Sequence, residues 1–387
     1  ALLATGLVVS TCMATAAPPE IRVATFNVSL SPNSSIVLPL LLDDPDSSAP
    51  RQIAEIIQRT APDVLFINEL NYDGTSANLD ALHDNFLAVS QHGQEPQVYP
   101  YRFVAPSNTG IHSGLDFDNS GGINTNPGSN VYGNDCFGFG RFPGQFAMAV
   151  LSKFPIRLGS VRTFQNFLWR DMPGALLPDI LRTPAPGDWY NEEELEVFRL
   201  SSKSHWQLPI EIDGEILFLL GSHPTPPDPF DGPEDRDGKR NHDEIRFWAD
   251  FIDPSRDGYI YDDAGVTGGL GTGRRFCVVG DQNADPAGGD SVEGAAQQLI
   301  EHPLIAAEFI PASAGGGTDT ATFGGGLRVD YVLPSRAGLE VLGGGVFWPA
   351  PGDPGSGLVG VSDHRLVYLD LRLHPLIDHA VQDLSLI

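Results

Sequence analysis

Short apolar runs separated by turn residues recur along the whole chain. Ile21 to Val28 predicts a first strand. Arg51 to Arg59 puts Ile53, Ile56 and Ile57 on one face of a short amphipathic helix, which Pro62-Asp63 ends. Val64 to Glu69 predicts a second strand that finishes on an acid, and Leu79 to Val89 a second helix. Residues 105 to 145 are rich in Gly, Asn and Ser and read as loop, followed by a strand over Phe146 to Leu151. Residues 160 to 205 are irregular. Leu208 to Ile212 and Ile216 to Leu220 flank Asp213-Gly214, a hairpin signal. Asn241 to Ile252 predicts a helix with Asn241 as N-cap and Ile245, Trp248 and Ile252 on its apolar face. Phe276 to Val279, Arg328 to Leu333 and Leu366 to Leu371 complete the strands. Strand-helix alternation that gives way to hairpins implies an α/β or α+β class with layered sheets. The pattern is that of one domain over residues 18–375, with a tail at 376–387.

Composition changes this picture in three ways. The 43 Gly and 32 Pro imply many turns and long loops around short strands. The 50 Asp and Glu against 23 Lys and Arg leave a net charge of -27, which repels polyanions and disfavours a nucleic-acid binder with a broad basic face. Nucleic acid remains open only to an enzyme whose metal ions neutralise phosphate locally. The stretch before Glu20, an apolar run followed by an Ala-x-Ala site, reads as a signal peptide over residues 1–17 that lacks its basic start. A lipoprotein reading would use Cys12, but Thr11 before it fits poorly. The run is too short to span a bilayer, and no other segment is long enough, so no stable membrane insertion is expected. Secretion, and a monomeric state, are the expectations. Cys136 and Cys277 permit one disulfide without requiring it, and Cys277, in an apolar strand, suits a buried thiol.

The chemistry lies in where polar residues stand. Six strand ends carry acids, amides or imidazoles: Thr25-Phe26-Asn27, Ile67-Asn68-Glu69, Gly221-Ser222-His223-Pro224, Gly280-Asp281-Gln282-Asn283, Arg328-Val329-Asp330 and Val361-Ser362-Asp363-His364. Polar groups held at strand ends by a rigid sheet are how α/β enzymes build sites. Singly, each motif is as well explained by an Asx turn or a cap. Together and in this order, from Ile21 to about Leu371, they resemble the endonuclease/exonuclease/phosphatase superfamily.

That resemblance implies a four-layered α/β sandwich, two packed β-sheets flanked by helices, with the site at one rim. It implies a metal-dependent phosphoesterase. Glu69 would be the main Mg2+ or Mn2+ ligand, with Asn27 and Asp363 beside the metal. Asp281 would orient or deprotonate the attacking water, Asn283 would donate to the phosphoryl oxygens, and His364, oriented by Asp330, would stabilise developing charge. His223 would assist as acid or donor. The residue types suit the reaction, because a phosphate ester repels anionic nucleophiles and needs its oxygens neutralised and a water placed in line.

Two positions depart from the family pattern. Ser29 stands where many members carry an acid, which weakens a second metal site. Gly144-Gln145 stand where deoxyribonuclease-like members place a Glu, which would leave His223 without that carboxylate. Beyond the motifs, Ser201 to Trp206 places Lys203 and His205 just before a strand, either as a substrate clamp or as a surface turn. Trp169 to Pro173 offers an apolar wall or a structural element. Two segments resemble degenerate calcium loops, one at Asp116 to Gly121 without a closing Glu, the other at Asp235 to Glu244 without the first Asp, so Ca2+ in a structural or catalytic role is a further expectation. A phosphate monoester or small diester is the favoured substrate. An extracellular deoxyribonuclease and a sphingomyelinase-like phospholipase are the alternatives, the latter needing an exposed aromatic hairpin at Phe137 to Phe142.

Overall fold

The computed structural model describes residues 17–228 and 231–376. Residues 1–16 of the expected signal peptide and 377–387 of the expected tail lie outside the described residues. The strands are β1 (Glu20–Leu30), β2 (Val64–Leu70), β3 (Tyr101–Phe103), β4 (Met148–Ser152), β5 (Arg162–Thr163), β6 (His205–Ile212), β7 (Glu215–Ser222), β8 (Phe276–Asp281), β9 (Asp330–Pro334), β10 (Leu339–Val346) and β11 (Val367–Leu373). The helices are α1 (Val37–Asp43), α2 (Ser48–Thr60), α3 (Ala77–Leu82), α4 (Asn130–Asn134), α5 (Glu192–Leu195), α6 (Arg236–Ile252) and α7 (Gln297–Ile300).

One sheet has six strands in the order β10-β11-β1-β2-β4-β3, the other five in the order β5-β6-β7-β8-β9. β1 pairs with β2, and β7 with β8, in parallel; the remaining pairs are antiparallel. The apolar runs are continuous because both faces of the central strands are covered. In β2, Val64 and Phe66 join Leu208, Leu219 and Val279 between the sheets. Leu65 and Ile67 point the other way, into a cluster with Ile53 and Ile57 of α2. On the far side, Trp248 and Phe251 of α6 pack with Val278 and Leu220 of the second sheet. The result is four layers, helix, sheet, sheet, helix, as expected. The sheets approach closely: a Cβ on Gly221 would lie 2.1 Å from the Phe66 ring.

Several elements differ from the sequence reading. α6 begins at Arg236, so Asn241 is inside the helix rather than at its cap. Its side chain instead donates to the carbonyls of Thr225 and Gln282, at 2.9 Å each. The early start also removes the second calcium-loop pattern. Asp235 to Glu244 is mostly helix, and the buried Glu244 carboxylate accepts the backbone N–H groups of Ser202 and Thr225 at 2.6 Å each. The helix expected over Leu79 to Val89 is α3 followed by a wider π-turn at His83–Leu87. β10, with Gly343 to Gly345 in its middle, carried no apolar signal and is paired by its neighbour β11. The hairpin behaves as expected: Asp213 and Gly214 both take positive φ, 49° and 86°, between β6 and β7. Cys136 and Cys277 are both buried free thiols. No helix among the described residues is long and apolar enough to cross a membrane.

Candidate active site

At one rim the ends of both sheets meet, and side-chain hydrogen bonds tie them together. Asn27, at 0% exposure on β1, donates through Nδ2 to Glu69 Oε1 and to Asp281 Oδ2, both at 3.1 Å. The first contact is within one sheet and the second crosses to the other. Asn68, one residue before Glu69, accepts the Asp281 backbone N–H at 3.2 Å. Three residues here take left-handed backbone without being Gly: Ser29 (φ 50°), Glu69 (φ 60°) and Asn283 (φ 51°). Such conformations cost on the order of 1–3 kcal/mol each and persist where the surroundings over-determine them. Each of the three follows a strand residue of the rim.

Asp281 is the hub. Its Oδ2 lies 3.4 Å from both His223 Nε2 and His364 Nε2, and its Oδ1 accepts the Asn283 backbone N–H at 2.9 Å. His364 is bracketed by a second acid, with Asp330 Oδ2 2.9 Å from its Nδ1. Asp281 and Asp330 face one another in the β8/β9 register, which is what delivers both acids to one imidazole. The edge of Phe323 meets the His364 ring at 5.3 Å between centroids.

Proton affinities follow from this packing. Burial works against the His364 cation, but Asp330, Asp281 and then Asp363 outweigh it and raise its pKa to about 10. Burial likewise opposes ionisation of Asp281, yet His364 and His223 hold its carboxyl well below the usual range. Burial pushes Asp330 up to about 6, with His364 pulling down and Asp281 pushing up. His223 moves the other way: burial and the neighbouring Lys203 charge lower its pKa, and Asp281 only partly offsets them. The His223 Nδ1 has no hydrogen-bond partner. Gln145, which stands near the expected Glu position, turns away and donates toward Ser31 O, Pro32 O and Asn33 Oδ1. The expected gap in carboxylate support for His223 is therefore present at Nδ1, while Asp281 faces Nε2.

These groups open into a cleft of about 970 Å³ lined by Glu69, Lys203, His223, Asp281, Asn283, Asp363 and His364 among others. Lys203 is buried, 3.4 Å from the Pro224 carbonyl; burial depresses its pKa against the pull of Glu244, Glu69 and Asp281. Asn27 and Asp330 lie behind the wall. His205, the other expected clamp residue, is not on the cleft. It is buried against Phe247 and Trp248, with its Nε2 2.9 Å from the Glu244 carbonyl. β6 begins at His205 and Lys203 lies in the preceding irregular segment, so strand periodicity does not tie the two side chains together; only Lys203 reaches the cleft. Trp169 and Met172 are also core, with Trp169 Nε1 donating to Asp243. Of the aromatic segment at 137 to 142, Phe137 and Phe142 are buried and only Phe139 is exposed, at 44%, so no aromatic hairpin projects there.

Sequence reasoning overlooked the supporting residues. Asn68 is a polar position on the same inward face as Phe66, which alternation could have flagged. Ser362 donates to the Asn27 carbonyl at 2.8 Å, and Thr320 Oγ1 accepts the Asp330 N–H at 3.0 Å. Thr320 lies in a loop with no local signal.

A rim of acids, amides and imidazoles on a two-sheet sandwich is the arrangement of a hydrolase of phosphoester bonds. The chain matches the model of the Endonuclease/Exonuclease/phosphatase family over residues 24–364 and belongs to that family. A search of curated proteins returned no match. Among solved structures, the chain is similar to an endonuclease/exonuclease/phosphatase from Beutenbergia cavernae, with 17% identity, coverage of 92% of this chain and 72% of that one, and a TM-score of 0.51. It is also similar to the human Nocturnin catalytic domain with bound sulfate anion (13% identity, 92% and 95% coverage, TM-score 0.47). A further similarity is to a beta toxin mutant from Staphylococcus aureus with bound magnesium ions (14% identity, 92% and 100% coverage, TM-score 0.44).

Enzymes of this family use divalent metals, and the residues here fit one. Glu69 carries only two neutral donors, Asn27 Nδ2 and Ser31 Oγ, the latter at 2.9 Å, and Asp363 Oδ1 accepts Ser29 Oγ at 3.1 Å. Among the described residues neither acid has a basic partner. Two carboxylates that form no ion pair of their own, with an amide beside them, offer the oxygen ligands that a hard cation takes.

Proposed function

We propose that the protein hydrolyses a phosphate monoester or a small phosphodiester by in-line attack of water. The observation that carries this reading is the His364 cation held between Asp281 and Asp330 on the wall of the cleft that also presents Glu69. Glu69, with Asn27 and Asp363, would hold Mg2+ or Mn2+, which neutralises non-bridging phosphate oxygens when bound. Asp281, ionised in the resting enzyme, accepts a hydrogen bond from the attacking water and takes its proton as the water oxygen bonds to phosphorus and the opposite ester oxygen leaves. His364, whose pKa is raised, donates to the phosphoryl oxygens where negative charge grows. Asp330 keeps that ring oriented and protonated. Asn283 supplies amide donors beside it, its backbone N–H locked on Asp281. His223, neutral, donates from one nitrogen. Lys203, drawn into the wall, adds a cation for the phosphate.

Small substrates are favoured because acids outnumber cations in the cleft lining, with Asp237, Asp285 and Asp290 beside an Asp231 that pairs with Arg236. A long polyanion would meet repulsion there as well as from the whole chain. The test is hydrolysis of a nitrophenyl monoester, a bis-nitrophenyl diester, DNA and sphingomyelin with Mg2+, Mn2+ or Ca2+. Glu69→Gln should lower turnover at least about a hundredfold, as for loss of a principal transition-state contact. Wild-type activity of this variant at low metal would remove Glu69 as ligand.

We place the enzyme outside the cytoplasm on the strength of the apolar stretch at residues 1–17. The mass of protein recovered from culture medium should lack that stretch; a full-length mass would overturn the placement.

A further inference from the structure

A second group of acids lies away from the rim, in the long connection between β3 and β4. Asp116, Asp118 and Asp135 each contribute a carboxylate oxygen to a set whose members all lie within 4.8 Å of one another. Asp116 and Asp118 sit two apart before Ser120-Gly121, and the chain turns sharply at Gly121 (φ 85°). The turn wraps onto the acids: Asp116 accepts the Ser120 and Gly121 N–H groups at 3.0 and 2.8 Å, and Asp118 Oδ1 accepts the Ser120 N–H at 3.0 Å. In the standard calcium loop a Glu at position twelve closes the site. Pro127 occupies that place here.

Asp135 supplies the missing acid from the end of α4. It is fully buried, at 0% exposure, and its Oδ1 accepts the Phe117 N–H at 3.0 Å. Its Oδ2 is also buried and has no hydrogen-bond partner. A carboxylate oxygen removed from water without a donor is costly, and a carboxylate facing two others is more so. Among the described residues, the side-chain amide that reaches the group is Asn134, which donates to Asp118 Oδ2 at 2.9 Å. No ion pair among the described residues involves any of the three.

We infer that Asp116, Asp118 and Asp135 form a Ca2+ site separate from the catalytic rim. Three carboxylate oxygens gathered within 4.8 Å of one another can share one cation, and the order Asp116-x-Asp118-x-Ser120-Gly121 follows the start of the standard calcium loop. Ca2+ takes six to eight oxygen ligands, so backbone carbonyls of this irregular loop and solvent would complete the set. The site also has a structural consequence. Phe117, between the two loop acids, packs against Phe137, Tyr190 and Phe198 and forms part of the cleft wall. Asn134, beside Asp135, lines the same wall. Bound Ca2+ would clamp the two ends of this segment together and hold that wall in place.

The test is thermal melting of chelator-treated protein with added Ca2+ or Mg2+, done in the Glu69→Gln background to suppress binding at the rim. A hundredfold excess of Ca2+ over its Kd should raise the midpoint by on the order of 5 °C, and Mg2+ by less. Asp135→Asn should lose the Ca2+ increment. Asp118→Asn, on a partly exposed residue, makes the same test should the buried substitution prevent folding. Trp189, whose Nε1 donates to the Phe117 carbonyl at 3.0 Å, gives a second readout: Tb3+ added to the same proteins should luminesce on tryptophan excitation and be displaced by Ca2+. Absence of a Ca2+ increment in Glu69→Gln, or an undiminished one in Asp118→Asn, would overturn the site. An equal response to Mg2+ would overturn its assignment to Ca2+.

Discussion

His364 and His223 reach the same oxygen, Asp281 Oδ2, at the same 3.4 Å, and respond in opposite directions. His364 has Asp330 on its second nitrogen, and the two acids raise its pKa to about 10. His223 has nothing on its second nitrogen and a lysine nearby, and stays neutral. His205 completes the series, buried against aromatics with no acid in contact, its pKa lowered to about 4 by desolvation first, with Glu244 opposing. One residue type, equally buried, thus serves as a fixed charge, a neutral donor and a core filler. The number of carboxylates facing the ring decides which, because only they repay the desolvation of an imidazolium.

The contrast can be broken by removing its supports. His364→Ala should lower kcat by about 10³, the scale of losing a preorganised donor to developing charge. His223→Gln, which removes a neutral group, should cost about 10². Asp330→Asn should be the mildest, about tenfold, because it weakens the orientation of His364 without deleting it. The double variant Asp330→Asn/His364→Ala should be no slower than His364→Ala, since residues acting as one unit are not additive. Steady-state kinetics corrected for folded fraction measure all four. Additive losses would separate Asp330 from His364, and a lower melting point with unchanged turnover would make Asp330 structural only.

His205 gives the smallest and sharpest effect, on stability alone. Its folded pKa lies below the unfolded value of about 6.5, so its neutral form is favoured in the folded state. The associated stability is complete above pH about 6.5 and is lost as pH falls toward about 4, by up to about 3 kcal/mol. Urea midpoints at pH 7 and pH 4.5 should fall more steeply for wild type than for His205→Gln. Equal slopes would show that His205 is solvated or charged in the fold.

By itself the sequence determined the central strands, though not β3, β5 or β10, because runs such as Val64 to Ile67 and Phe276 to Val279 must be buried on both faces and do not depend on distant partners for their type. It also singled out the polar strand ends, and the structure brings Glu69, His223, Asp281, Asn283, Asp363 and His364 to one cleft. Only the tertiary structure decided which of them meet. Asn27 bridging the two sheets, Asp281 shared by two imidazoles and the orphaned oxygen of Asp135 beside Asp116 join residues far apart in the chain, and no local pattern encodes those meetings. The same reason separates Lys203 from His205: two residues apart in sequence, they part company because β6 begins at the second of them and turns its ring into the core.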